Sequence, residues 1–204
     1  MELVQQVAGG SYNNNGFAFS VEGYYKKTDG HTRYYKYRQE GNISLGKSKS
    51  YGLDIFAKKD LGDHTLWISY TLSKTLENFD YFNTNEYRRA LHDQRHEIKT
   101  AGLLALKPFY ISANYIYGSG FPIYSSRNKI VAEPDYTRLD AALIYKFYPK
   151  KTKCELGVLF HNILDRNNIT YESYEKIPLD QLNSSRIYTE TVPTSIRLYF
   201  KITI

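Results

Sequence analysis

Cysteine is almost missing from this chain. Cys154 is the single one in 204 residues, which excludes an internal disulfide framework and any cysteine-rich metal site. Long hydrophobic runs are missing too. The longest is Ala101 to Leu106, far short of the 18 or so apolar residues a membrane-spanning helix needs. The opening Met1-Glu2-Leu3-Val4-Gln5-Gln6 lacks the basic start and apolar core of a signal peptide. Such an opening is expected of an intracellular chain or of one whose true beginning lies elsewhere. The chemistry of an enzyme is also scarce. There is no Gly-x-Ser-x-Gly elbow, no Walker loop and no cysteine paired with a histidine in a credible pattern, so no catalytic residue, cofactor or metal is expected. Net charge is +6, which permits an anionic partner without demanding one.

What the chain does have is tyrosine: 21 of them, against 19 leucines and only ten alanines. Aromatics reach 16% and hydrophobic residues only 42%. Tyr, Phe, Ile and Thr favour strands, whereas Ala is the best helix former. The composition is that of an all-β protein.

Period-two alternation divides the sequence into strands. The clearest runs are 17–26, 51–58, 66–73, 97–106, 109–117, 138–147, 154–161 and 196–204. A weaker ninth, 3–12, precedes Asn13-Asn14-Asn15-Gly16, whose Asn-Gly end signals a hairpin. One face of the eight clear strands holds 37 positions, from Phe17, Phe19 and Val21 to Leu198, Phe200, Ile202 and Ile204, and none is charged. A chain with 24% charged residues would place roughly nine there at random. The opposite face carries Glu22, Lys26, Asp54, Lys58, Glu97, Lys99, Arg138, Asp140, Lys146, Glu155, Arg197 and Lys201.

A soluble sandwich also alternates, so the connections must decide. Short links (Asn13–Gly16, Leu61-Gly62-Asp63, Lys107-Pro108, Tyr148–Lys151) alternate with long ones at roughly 28–48, 74–95, 118–135 and 164–193. In an antiparallel meander every tight turn then lies at one end and every long loop at the other, as in transmembrane β-barrels. Five outward positions at period two span nine residues, which suits a strand tilted through a bilayer. Aromatics such as Phe17 and Tyr25, or Phe109 and Tyr117, mark the ends of the apolar face, at headgroup level. The expected architecture is an antiparallel transmembrane β-barrel meander of about nine strands. Because single-chain bacterial barrels close with an even number, nine strands suggest part of a larger wall.

Several segments support a more specific reading: Val21-Glu22-Gly23-Tyr24-Tyr25-Lys26-Lys27, Ser50 to Lys59, Leu66 to Lys74, Asp93-Gln94-Arg95-His96, Tyr117 to Pro122, Tyr136 to Asp140, and Phe160-His161-Asn162-Ile163-Leu164-Asp165-Arg166-Asn167-Asn168. In this order they resemble the C-terminal barrel of TonB-dependent outer-membrane receptors, in the style of Bacteroidetes receptors that carry a carboxypeptidase-regulatory-like domain. The resemblance covers nearly all of residues 1–204. It implies a 22-stranded barrel in the Gram-negative outer membrane, a plug domain supplied by the missing N-terminal part, and contact with TonB only through that part. It also implies TonB-energised uptake of a scarce solute such as a metal chelate, vitamin or glycan piece. Barrels of this kind usually end on an aromatic, whereas this chain ends Phe200-Lys201-Ile202-Thr203-Ile204.

The strongest ligand candidates lie in the expected outer loops. Exposed rings stack on sugars or flat chelates and guanidinium groups hold anions, which points to Arg33, Tyr34, Tyr35, Tyr37 and Arg38, and in a later loop to Tyr124 and Arg127. The competing reading of the first group is aromatic strand ends extended above the membrane as a hairpin. His92 and His96 are four apart, a zinc spacing on a helix, but on a strand they stand about 13 Å apart. Asp93 with His96 is a faint hydrolase candidate. Lys146, Lys150, Lys151 and Lys153 surround one tight turn, which suits headgroups or solvent better than nucleic acid. Trp67 is expected to face the lumen and Cys154 the lipid. The alternatives are a small self-closing porin or adhesin barrel, an outer-membrane hydrolase, and a soluble sugar-binding β-sandwich.

Overall fold

The computed structural model describes residues 1–34, 43–82, 84–124, 129–150, 152–175, 185–190 and 193–203. These form strands β1 (Glu2–Asn14), β2 (Phe17–Tyr34), β3 (Ile43–Leu61), β4 (His64–Phe79), β5 (Arg88–Arg89), β6 (His96–Leu106), β7 (Phe109–Gly118), β8 (Ile123–Tyr124), β9 (Ile130–Ala132), β10 (Tyr136–Phe147), β11 (Lys153–His161), β12 (Ile169–Glu175), β13 (Ser185–Glu190) and β14 (Ser195–Thr203). One 3-10 turn, Asp80–Phe82, follows β4. No α-helix occurs among the described residues.

Nine of the strands make one antiparallel meander in the order β1-β2-β3-β4-β6-β7-β10-β11-β14, with β5 folded back onto β4. Eight of them contain one of the nine alternating runs read from the sequence, and β14 holds the ninth, 196–204, as far as Thr203. As first and ninth in the meander, β1 and β14 run in the same direction, and neither pairs with the other. The sheet is therefore open. The pairs β8-β9 and β12-β13 are separate two-stranded hairpins within the long connections.

The register keeps the apolar residues in rows across the sheet. Val21 lies opposite Ile55, Ile55 opposite Tyr70, Ile98 opposite Tyr117, Ile111 opposite both Leu104 and Leu143, and Leu156 opposite Phe200. A slip of one residue would exchange the faces, so the uncharged face of the sequence is one continuous surface.

The tight turns follow from their residues. Asn14 pairs with Phe17 around a loop of Asn15 and Gly16, both at positive φ, +47° and +70°, as a twist-matched two-residue hairpin requires. Leu61 pairs with His64 around Gly62-Asp63, with Gly62 at φ +61°.

Both faces carry a depression. One of about 450 Å³ on the polar face is lined from β4 to β11 by Thr65, Trp67, Leu103, Asn114, Ala142 and His161, among others. Another of about 450 Å³ lies on the uncharged face among Phe109, Leu143, Tyr145, Leu156 and Val158. The apolar face is left open: Leu198 is 75% exposed, Leu66 59% and Phe200 56%. The chain exposes 14084 Å², whereas a compact monomer of this mass exposes about 9,900 Å².

Three strands run further than alternation indicated. Segments 28–48 and 74–95 read as loops, yet β2 continues to Tyr34, β3 starts at Ile43 and β4 reaches Phe79. An added residue in β2 explains part of this. Asp29 faces Lys47 and His31 faces Gly46, leaving Gly30 unpaired at φ +72°. This is a bulge of the kind glycine permits, and it moves His31 and Arg33 onto the face that carries Lys26 and Thr28.

Candidate functional site

Buried side chains gather at the long-loop end. Among the described residues the buried hydrophobic side chains are Phe79, Phe82, Ala90, Ile123, Tyr124 and Cys154, and all but Cys154 lie there. Among them sit two nearly inaccessible carboxylates, Glu77 (2%) and Asp93 (1%).

Glu77 ties three segments together. Its neighbour across the β2 bulge, Arg33, donates Nη1 to Oε1 at 2.9 Å and Nη2 to Oε2 at 2.5 Å, the paired geometry that makes such bonds strong. Arg33 Nη1 also donates to the Tyr81 hydroxyl at 3.2 Å, and its guanidinium stacks 4.2 Å from the Phe79 ring centre. Burial alone would lower the Arg33 pKa, but the hydrogen bonds and charge of Glu77, with Tyr81, outweigh it and hold the group above its ordinary value. Arg88, opposite Glu77 in the β4-β5 pair, approaches it to 3.9 Å and lies 3.4 Å over Phe82 and 5.0 Å from the Tyr124 ring centre.

Asp93 closes the other side. It accepts the Thr75 N–H at 2.5 Å and Arg89 Nε at 2.6 Å, and Arg89 also pairs with Glu133. Tyr124 donates its hydroxyl to the Arg89 carbonyl at 2.8 Å, and burial raises its pKa. The described residues of 80–95 thus form a folded cap pinned to β4 by ion pairs and rings.

A second polar cluster sits at the same end of β10 and β11. Asp140 accepts the Asn162 N–H at 3.0 Å and faces Arg138 Nε at 3.0 Å and His161 Nδ1 at 3.6 Å. Asn168 uses its amide as a short strand: Oδ1 accepts the Thr137 N–H and Nδ2 donates to the Thr137 carbonyl, both at 2.8 Å. Asn162 and Asp165 hold the intervening turn with φ of +49° and +47°.

Of the residues singled out from sequence, Arg33 and Tyr124 meet in the first cluster through Glu77 and Arg88. Tyr35, Tyr37, Arg38 and Arg127 lie outside the described residues, as does the side chain of Tyr34. His96 meets the Tyr70 hydroxyl through Nδ1 at 2.8 Å. Trp67 lines the hollow of the polar face, and Cys154 is buried, 4% exposed. Sequence reasoning missed Glu77, Phe79, Phe82, Arg88 and Arg89. Their pairing depends on the bulge at Gly30 and on β5 returning to β4, neither of which has a periodic signal.

Chemically the arrangement separates two environments. One side is a broad uncharged surface of rings and branched side chains; the other is hydroxylated and charged, with an ion-paired rim at one end. Comparison of the chain with protein families, with curated proteins and with solved structures finds no match.

Proposed function

We propose that this chain is a section of the wall of an outer-membrane β-barrel, in a receptor of the TonB-dependent kind that takes up a scarce solute by binding and energised release. The observation that carries the reading is the uncharged face: eight strands in register, open to the surroundings, opposite the charged and hydroxylated face. Lipid is the environment that stabilises such a surface at no polar penalty. The alternation of tight turns and long connections agrees with it, and the ordered segments from Val21 to Asn168 support the receptor class. The open edges of β1 and β14 suit a wall continued by further strands, with a plug in its lumen. In this reading the pinned cap within 80–95 lies at the outer face and no side chain acts as a catalyst.

The test is the size and location of the native polypeptide, detected by an antibody against residues 1–204 in fractionated membranes of the source organism. A band several times heavier than 23.8 kDa in the outer-membrane fraction is the expected result. A band near 23.8 kDa in that fraction would replace the receptor by a small barrel, and a water-soluble band would overturn the membrane reading.

A further inference from the structure

The bulge in β2 does more than bring Arg33 to Glu77. Below that ion pair it opens a pocket of about 230 Å³ on the polar face, lined by Lys26, Thr28 and His31 of β2, Ser48 and Ser50 of β3, Thr75 and Glu77 of β4, and His92, with Met1 at its edge. The register explains the set. Lys26 lies opposite Ser50 and Thr28 opposite Ser48, Ser50 opposite Thr75 and Ser48 opposite Glu77, and the extra residue Gly30 places His31 in the same row.

The hydroxyl and charge balance define what such a pocket takes. Four hydroxyl side chains line it, and Ser50 and Thr75 are already in hydrogen-bond contact at 3.1 Å. Glu77 is engaged by Arg33 and approached by Arg88, so its charge is more than compensated. Lys26 is exposed and has no carboxylate within ion-pair distance among the described residues. The local excess is positive, and the rim can both donate to and accept from a polyol. The volume suits a single small ring.

We propose that this pocket binds an anionic monosaccharide, with Lys26 as counter-ion to its acidic group and Thr28, Ser48, Ser50 and His92 around its hydroxyls. The proposal names the solute class for the receptor reading and rests on it for biological meaning, but the pocket can be tested separately. The full chain is folded in detergent micelles, and its strand content and micelle association are recorded first. Binding of glucuronate, glucose 6-phosphate and glucose is then measured by calorimetry for the chain and for Lys26→Ala and His92→Ala. Lys26 and His92 are exposed, so both variants are expected to fold.

Saturable binding of an acidic sugar, at least about tenfold tighter than glucose and lost by about tenfold in Lys26→Ala while weak glucose binding stays put, is the expected result. Preference for glucuronate assigns the acidic group as carboxylate, and preference for glucose 6-phosphate assigns it as phosphate. Failure of both sugars to bind the folded, micelle-associated chain overturns the pocket assignment and leaves the wall reading intact. Equal affinity in Lys26→Ala also overturns it. A chain that binds the acidic sugar yet stays in water without detergent supports the pocket and overturns the wall.

Discussion

The two ends of this sheet are held by different means. At the tight-turn end, two-residue loops close strands through positive φ at Asn15, Gly16 and Gly62, and an exposed ion pair joins two of the turns. Lys107 meets Asp63 with both side chains more than half accessible. At the long-loop end, Glu77 and Asp93 are buried against Arg33, Arg88 and Arg89, under Phe79, Phe82 and Tyr124. One end relies on the backbone conformation of its turns and the other on buried contacts between side chains, such as Arg33 with Glu77. The end with the longest connections is thus the one with the most buried side chains, and the broad face between the ends has no protein covering it.

The largest expected effect is at Phe79, which is fully buried. Phe79→Ala removes the ring stacked on Arg33, Tyr81 and Phe82 and is expected to destabilise the long-loop end by about 4 kcal/mol. Hydrogen exchange checks it: amides of Thr75, Glu77 and Ala90 lose protection while those of the tight turns do not change. Uniform loss at both ends would break the contrast.

Glu77→Gln keeps the shape and removes the charge, leaving Arg33 half-buried without its carboxylate. A destabilisation of about 3 kcal/mol is expected, read from denaturant midpoints at constant slope. Leu143→Arg probes the face between the ends. In lipid a cation near the middle of the wall is expected to lower stability by about 2 kcal/mol, measured by unfolding in vesicles; unchanged stability there would place that face in water. Gly46→Ala brings a Cβ to 2.4 Å from Phe79 Cδ1 and 2.7 Å from the Asn78 carbonyl oxygen, so a buried ring and the β4 backbone must both give, and a loss of about 2 kcal/mol is expected in the same denaturation measurement.

The smallest effect lies at the tight turns. The hydrogen bond and charge of Lys107 lower the Asp63 pKa, and the Thr65 hydroxyl and Lys58 lower that of Asp60. A depressed carboxylate contributes stability above its ordinary range and loses it as pH falls through its lowered value. Both carboxyl groups are solvent-accessible, so acidification is expected to lower the protection factor of the Gly62 amide, measured against its intrinsic rate at each pH, and to leave the unfolding midpoint in place. A large acid shift of the midpoint from these two residues would erase the contrast from the other side.

Much of the architecture was legible in the sequence because alternation is a direct imprint of a two-faced strand. The runs 109–117 and 154–161 each fall within one strand, and Asn15-Gly16 turns where that pair of residues should. Legibility failed where the period breaks. At Gly30 one residue is inserted and the faces exchange, so a reader counting by twos puts Arg33 on the wrong side and misses Glu77 as its partner. Beyond Lys74 the rows Thr75, Glu77 and Phe79 mix hydroxyl, charge and ring, because they face a cap rather than one uniform medium. Asn168 closes one of the resembling segments, but alternation gave it no role, since its side-chain amide takes the place of a strand beside Thr137.

The shared direction of β1 and β14 sets a parity rule for whatever completes this sheet. Rolled shut on itself, the ribbon would join its two borders in a parallel seam, with slanted bonds in an otherwise antiparallel wall. Closure through antiparallel pairs alone demands an odd number of additional strands, whether one or thirteen. A partner or segment contributing two, four or any even number of strands would leave the same seam in place. In any closed assembly, the strand count would therefore tell whether these two borders meet antiparallel or parallel partners, without reference to any side chain.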